Sequence, residues 1–80
     1  MWHVYILQSI QEKKYYIGCT NNLERRVLEH NKGYSAATKK YRPWIVVRFE
    51  KFSNQQEAYT REKEIKSYKG GNAFKKLLDE

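Results

Sequence analysis

The sequence predicts an α+β domain with two strands, a helix, a third strand and two more helices. Two runs rich in β-forming residues, 2–8 and 14–18, lie on either side of a polar stretch. Capping residues and helical periodicity mark 22–32 and the segment from Ser53 to about Lys69, and a further run of β-formers spans Trp44 to Phe52. A chain of 80 residues forms one domain, over 1–80, and buries roughly 60% of its unfolded surface on folding.

The first two strands are predicted to form a β-hairpin, and each contributes a tyrosine, Tyr5 and Tyr16. A one-residue slip in register would send one of the two rings to the other face of the sheet. If the two tyrosines pair directly, both rings project from the same side.

The first helix is predicted over 22–32. Asn21 followed by Glu24 fits a capping box, and Gly33 is a plausible C-terminal stop.

The phase of this helix separates two neighbouring arginines. At about 100° per residue, Leu23, Val27 and His30 share one stripe with Arg26 at its edge. Arg25 points to the opposite side, toward solvent, so Arg26 and His30 are expected to face the sheet together.

The segment 34–43 is small, polar and basic, and the single proline, Pro43, closes it. It is predicted to be a loop, which either grips a nucleic-acid backbone or serves as a plain connector. The strand that follows, 44–52, is apolar enough at its start to be expected in the centre of the sheet.

The second helix contains a carboxylate in its apolar stripe. Ala58, Glu62 and Ile65 occupy one face, and an unpaired buried charge is strongly disfavoured. Glu62 therefore needs a basic partner or a cation. A last short helix is expected over 72–78 and packs back through its apolar residues.

The charge of the chain favours a polyanionic partner. Sixteen Lys and Arg against nine Asp and Glu give a net charge of +7, which points to nucleic acid. A basic surface kept for solubility is the alternative. A membrane surface is less favoured, because no apolar run approaches ~18 residues and no lipidation motif is present.

The single cysteine, Cys19, has no internal disulfide partner, and the N-terminal residues lack a secretory pattern. A cytoplasmic location is therefore expected. Cys19 has no metal-ligand spacing around it and is interpreted as a small buried filler.

Five residues suggest phosphodiester chemistry. Glu62 is suited to bind Mg²⁺ or Mn²⁺, with water and phosphate oxygens as further ligands, and Arg26 to clamp the phosphate. Tyr5 and Tyr16 can hydrogen-bond water or phosphate, and a tyrosine becomes a base only where cations, such as Lys13 or Lys14, favour the phenolate. His30 is the other candidate to take the proton.

Each of these residues also has a structural interpretation. Tyrosines in strands often serve in packing, and a histidine on a helix face is often a satisfied core residue. Arg26 and Glu62 would alternatively form a buried ion pair that fixes one helix against another.

In order along the chain, these residues form a pattern that resembles the GIY-YIG nuclease superfamily, in particular its small stand-alone bacterial members. The pattern comprises His3-Val4-Tyr5, Tyr16-Ile17-Gly18, Leu23-Glu24-Arg25-Arg26 with His30-Asn31 and Gly33, Thr38 before Pro43, and Ala58 with Arg61-Glu62-Lys63 and Ile65-Lys66. The chain departs from the name motif at His3-Val4, where the family has Gly-Ile.

The resemblance implies a three-stranded antiparallel sheet flanked by helices, and cleavage of nucleic-acid strands through a single divalent metal. Tyr5 and Tyr16 match the two signature tyrosines, with Tyr5 the favoured general base. Arg26 matches the catalytic arginine, His30 the helix histidine and Glu62 the metal-binding glutamate.

We therefore expect a metal-dependent endonuclease that acts on DNA, in repair or recombination, as a monomer or weak homodimer. No recognition domain fits in 80 residues, so low sequence specificity is expected, with phosphate contacts from basic and polar side chains. These are Lys14, Thr38, Lys39, Lys40 and Arg42. The alternatives are a non-catalytic nucleic-acid-binding module with the same fold, and a structural domain that binds no nucleic acid.

Overall fold

A computed structural model describes all 80 residues, and it contains every strand and helix that the sequence predicts. The elements are β1 (Trp2–Ser9), β2 (Tyr15–Thr20), α1 (Leu23–Lys32), α2 (Ala36–Lys39), β3 (Trp44–Phe52), α3 (Gln55–Ser67) and α4 (Asn72–Asp79). The short helix α2 lies within the segment predicted as a loop. No helix has the length and hydropathy needed to cross a membrane.

The ends of α1 show why the helix has these limits. Asn22 is extended (φ −149°), and its side-chain oxygen accepts a hydrogen bond from the Arg25 N–H at 3.1 Å. The prediction of Asn21 as the cap was therefore wrong by one residue. Gly33 ends the helix as predicted, with a left-handed φ of 85° that glycine adopts without steric cost.

The three strands form one antiparallel sheet in the order β2-β1-β3. The central strand is β1, in which Val4 to Leu7 are all buried. The expectation that β3 lies centrally was wrong, because β3 exposes Ile45 and Phe49 along its length. A central strand is covered on both faces, and only β1 has a run of consecutive apolar side chains that are all buried, Val4 to Leu7.

Each face of the sheet is covered by its own helices. Val4 and Ile6 point to one face, where they pack against residues of α3 and α4: Ala58, Ile65, Phe74 and Leu77. Tyr5 and Leu7 point to the other face, where they pack with Trp44 and with Leu23 and Val27 of α1. Tyr5 therefore belongs to the core on the α1 side.

Helix α3 is held on β3 by a charged network. Arg61 donates two hydrogen bonds to the Glu50 carboxylate, at 2.8 and 3.1 Å, and Arg48 donates to the same group. These hydrogen bonds, with Arg61 first, hold the pKa of Glu50 below its ordinary value. Since Glu62 follows Arg61 in α3, the network also helps to fix the position of Glu62.

Candidate active site

The two signature tyrosines lie on the same face of the sheet. Tyr5 lies opposite Gly18, and Tyr16 lies opposite Leu7, so the tyrosines are diagonal neighbours rather than a direct pair. Their ring centroids are 6.3 Å apart. Both rings therefore project from the same side of the sheet, as expected for direct pairing, although each tyrosine lies two residues from the direct partner of the other.

Gly18 provides the space that the Tyr5 ring occupies. A Cβ atom at position 18 would lie 2.6 Å from the Tyr5 hydroxyl oxygen and 3.2 Å from the Tyr16 ring. Any larger residue would therefore displace Tyr5. The absence of a side chain at Gly18 lets the Tyr5 hydroxyl reach across β2 toward α1.

His30 is completely buried beneath the tyrosines. Its Nε2 lies 3.0 Å from the Tyr5 hydroxyl, and its Nδ1 lies 2.7 Å from the hydroxyl of Thr38. Its ring also packs against Tyr16, at a centroid distance of 4.9 Å. Burial, with the nearby charge of Arg26, lowers the pKa of His30 to about 4, so its imidazole is neutral at pH 7.

Thr38 is the last member of a buried chain of hydrogen bonds that runs from Tyr5 through His30. Its side chain is 0% exposed and contacts His30 through its hydroxyl. The prediction that Thr38 contacts nucleic acid was therefore wrong. The reason is α2, which turns this residue inward.

Arg26 and Arg25 point apart, as the helical phase predicts. The Arg26 side chain is 33% exposed and pairs with Glu29 at 3.1 Å, whereas that of Arg25 is 61% exposed and lies 3.9 Å from Glu29. Burial raises the pKa of Tyr5 to about 12, and the nearby guanidinium of Arg26 opposes this rise. Arg26 thus faces the tyrosine hydroxyl from the edge of α1.

Glu62 lies on α3 with a side chain that is only 12% exposed. Its carboxylate pairs with Lys66, one turn later, at 2.8 Å. The alternative of a buried Arg26–Glu62 ion pair is therefore wrong, because each has a partner on its own helix. The charge of Glu62 still contributes to the raised pKa of Tyr5, so the carboxylate acts on the tyrosine hydroxyl through its charge.

Cys19 lies beside Glu62 and is unsuited to nucleophilic chemistry. Burial, together with the nearby carboxylate of Glu62, raises the pKa of its thiol to about 11. A thiol of this kind is protonated at neutral pH and a poor nucleophile. This agrees with the interpretation of Cys19 as a filler.

The donor set suits a hard divalent cation with few protein ligands. No cluster of three or more His, Cys, Asp or Glu side chains is present, so a closed zinc-type site is not formed. The Glu62 carboxylate already has a cation, Lys66, against it. One carboxylate, with waters and phosphate oxygens, fits the coordination that Mg²⁺ or Mn²⁺ prefers.

Basic side chains cluster around Tyr41, which follows soon after Thr38 in the sequence. The ammonium groups of Lys14 and Lys40 lie 5.5 and 5.6 Å from the centre of the Tyr41 ring. Lys39 and Arg42 flank them in sequence, and the Gln11 side chain donates to the Arg42 carbonyl at 2.9 Å. The hairpin loop and the segment 39–42 therefore form one basic surface.

Sequence reasoning missed Lys66. Lys13 or Lys14 was the lysine expected beside the tyrosines, but Lys14 lies over Tyr41. The lysine whose charge interacts with Tyr16 is Lys66. Its spacing of four residues from Glu62 is the signal that would have found it.

The candidate site thus combines Tyr5 of the central strand and Tyr16 of the edge strand β2 with Arg26 of α1 and Glu62 of α3. The family model of the GIY-YIG catalytic domain matches residues 1–75, and the chain belongs to this nuclease family.

Relatives of the same size support this membership. A UPF0213 protein of Staphylococcus haemolyticus is 42% identical over 67 residues, which cover 82% of this chain and 80% of the relative. A UPF0213 protein of Natronomonas pharaonis is 38% identical over 79 residues, or 98% of this chain and 92% of the relative.

The fold is confirmed by a solved structure. The solution NMR structure of a UPF0213 protein from Bacillus halodurans aligns with a TM-score of 0.55 and 29% identity. The alignment covers 98% of this chain and 82% of the other. The predicted three-stranded antiparallel sheet flanked by helices is thus correct.

Proposed function

We propose that this protein is a divalent-metal-dependent endonuclease that hydrolyses phosphodiester bonds in DNA with low sequence specificity. The observation that carries the proposal is that Arg26 of α1 and Glu62 of α3 both affect the pKa of the Tyr5 hydroxyl. DNA repair or recombination, in the cytoplasm, is the proposed setting, and the proposed active form is a monomer or weak homodimer.

Arg26 has the position and charge to bind the scissile phosphate. Its guanidinium is one-third exposed at the edge of α1 and faces Tyr5. A planar guanidinium can donate two parallel hydrogen bonds to phosphate oxygens. This charge would stabilise the negative charge that develops during hydrolysis.

Tyr5 is the proposed proton acceptor. A pKa of about 12 makes its phenolate scarce at neutral pH, so the base needs additional positive charge nearby. A divalent cation held by Glu62 would supply that charge and polarise the phosphate. Tyr16 lies beside Tyr5 and would orient water or a phosphate oxygen. With a pKa of about 4, His30 is a poor alternative base.

The basic surface around Tyr41 is proposed to bind the DNA backbone. Lys14, Lys39, Lys40 and Arg42 carry positive charge next to the site. Contacts of this kind fix a strand in place but do not read its bases. Low sequence specificity follows.

Neighbouring arginines provide a matched test of the nuclease proposal. Supercoiled plasmid and branched DNA are incubated with Mg²⁺ or Mn²⁺ and wild type, Arg26→Ala or Arg25→Ala. Both variants lose a contact with Glu29, but only Arg26 faces Tyr5. We expect a loss of about 10²- to 10³-fold for Arg26→Ala and little change for Arg25→Ala. Equal cleavage by all three proteins would reject the proposal.

A second candidate function is nucleic-acid binding without cleavage, which the charge of +7 and the basic surface favour. It predicts affinity that falls steeply with salt, because binding releases counterions from the phosphates. Salt-sensitive binding together with no cleavage on any substrate, with either metal, would favour this function over the first.

A further inference from the structure

Thr38 occupies a position that the proposed chemistry does not yet explain. It lies on α2, and its hydroxyl is buried against Nδ1 of His30 at 2.7 Å. The other nitrogen of the same ring lies 3.0 Å from the Tyr5 hydroxyl. The three side chains thus form a continuous hydrogen-bonded chain from α2 to the central strand.

The direction of the hydrogen bonds in this chain depends on where the Thr38 hydroxyl hydrogen points. Its alternative acceptor is the Ser35 carbonyl, which lies at 3.5 Å. That carbonyl already accepts from the Thr38 N–H at 3.2 Å and from the Lys39 N–H at 3.0 Å. A carbonyl has two lone pairs, so the hydroxyl hydrogen has its better acceptor in Nδ1 of His30.

We infer that Thr38 is a positioning residue whose hydroxyl donates to Nδ1 of His30 and so keeps the imidazole hydrogen on Nε2. A neutral imidazole carries one hydrogen, and the nitrogen that accepts a hydrogen bond is the one without it. His30 is then a hydrogen-bond donor to the Tyr5 oxygen. The hydroxyl hydrogen of Tyr5 is directed away from His30.

The position of the imidazole hydrogen on Nε2 determines how His30 acts on Tyr5. A donor at Nε2 stabilises the phenolate form of Tyr5 and does not accept its proton. Arg26 acts on the Tyr5 oxygen in the same direction, while Tyr16 and Glu62 act against it. The consequence for catalysis rests on the proposed nuclease function, whereas the tautomer is a property of the folded protein alone.

The tautomer can be measured directly in the wild-type protein. Long-range ¹H–¹⁵N correlation spectra of ¹⁵N-histidine-labelled protein at pH 7 show which ring nitrogen carries the hydrogen. A His3→Gln sample assigns the signals, since the chain has two histidines. We expect the hydrogen of His30 on Nε2. A hydrogen on Nδ1 would overturn the inference.

Two substitutions then test whether Thr38 sets this state. Thr38→Ser keeps the hydroxyl, and Thr38→Val replaces it with a methyl group of similar size. We expect the Nε2–H signature to persist in the Ser variant and to give way to a mixture of tautomers in the Val variant. An unchanged signature in Thr38→Val would show that Thr38 does not set the tautomer.

Cleavage provides the link to catalysis. We expect Thr38→Val to lower the single-turnover rate about tenfold, as the loss of one hydrogen bond to a buried group does, and to move the pH–rate profile to higher pH. Thr38→Ser should keep both the rate and the pH–rate profile close to those of wild type.

A wild-type protein that cleaves no substrate would reject the nuclease function but leave the NMR result intact. A Val variant with unchanged rate and pH profile would reject the catalytic role of Thr38.

Discussion

Burial and hydrogen bonding determine the protonation states of single residues in this site. Tyr5 is a core residue whose hydroxyl contacts His30, and burial raises its pKa to about 12. Burial acts in the opposite direction on His30, whose charged form is the protonated one. Both residues are therefore neutral at pH 7, and the positive charge at the Tyr5 hydroxyl comes from Arg26.

The lowered pKa of His30 makes folding stability depend on pH. Between its ordinary pKa of 6.5 and its folded pKa of about 4, the unfolded chain binds a proton that the folded protein excludes. The free energy of unfolding should therefore fall as the pH decreases from 7 to 4, with about 3 kcal/mol of this fall due to His30. Urea unfolding at several pH values measures it.

Substitution of His30 tests the source of this pH dependence. His30→Gln should flatten the pH dependence of the unfolding free energy in that window. Identical pH dependence in the wild-type and variant proteins would show that His30 is not held neutral by the fold.

Single-residue roles were predictable where a regular helix fixes direction. Helical phase alone distinguishes Arg26 from Arg25 and places His30 toward the sheet. The inward position of Thr38 was not predictable in this way. It depends on the four-residue helix α2, whose position is set by packing against α1 rather than by a sequence period.

Among the strands and helices, the pairing of β1 with β2 is the contact that positions Tyr5 in the candidate site. The register pairs Tyr5 with Gly18, and the Tyr5 ring occupies the space that a side chain at position 18 would need. Element types were predictable from β-propensity and capping residues, but the order of strands was not. Strand order depends on which strand can bury both faces, and β1 rather than β3 satisfies this requirement.

The Gly18 contact predicts a defect from the addition of one methyl group. Gly18→Ala would place a Cβ 2.6 Å from the Tyr5 oxygen and 2.7 Å from its ring carbon. We expect a loss of about 1–3 kcal/mol in the free energy of unfolding, and loss of cleavage because the hydroxyl is displaced. Denaturant unfolding and a plasmid assay measure the two effects.

Gly71 supplies the control for this substitution. It precedes α4 with a φ of −79°, and the nearest atom to an added Cβ is a carbonyl oxygen at 3.2 Å. Gly71→Ala should therefore cost less stability than Gly18→Ala and leave cleavage close to that of wild type. If Gly18→Ala cost no more than Gly71→Ala in both assays, β2 would not position Tyr5 as described.

The whole molecule places one candidate site and one basic surface side by side on a small scaffold. Three strands and four helices fit within 28 × 28 × 19 Å. Residues of β1, β2, α1 and α3 form the site, so the site depends on the complete fold. The arrangement supports the proposal of a nuclease that recognises its substrate mainly by charge.

The most direct test of this account compares two glutamates of α3. Glu62→Gln and Glu64→Gln each remove one carboxylate charge and one ion pair on the same helix, with Lys66 and Arg61 respectively. Of the two, only Glu62 affects the pKa of Tyr5. The measurement is the rate of plasmid cleavage in Mg²⁺ or Mn²⁺, with the unfolding free energy of each variant as a check of folding. We expect a loss of about 10²-fold or more for Glu62→Gln and a rate close to wild type for Glu64→Gln. Metal-dependent cleavage at the wild-type rate by a folded Glu62→Gln protein would contradict the proposed role of Glu62.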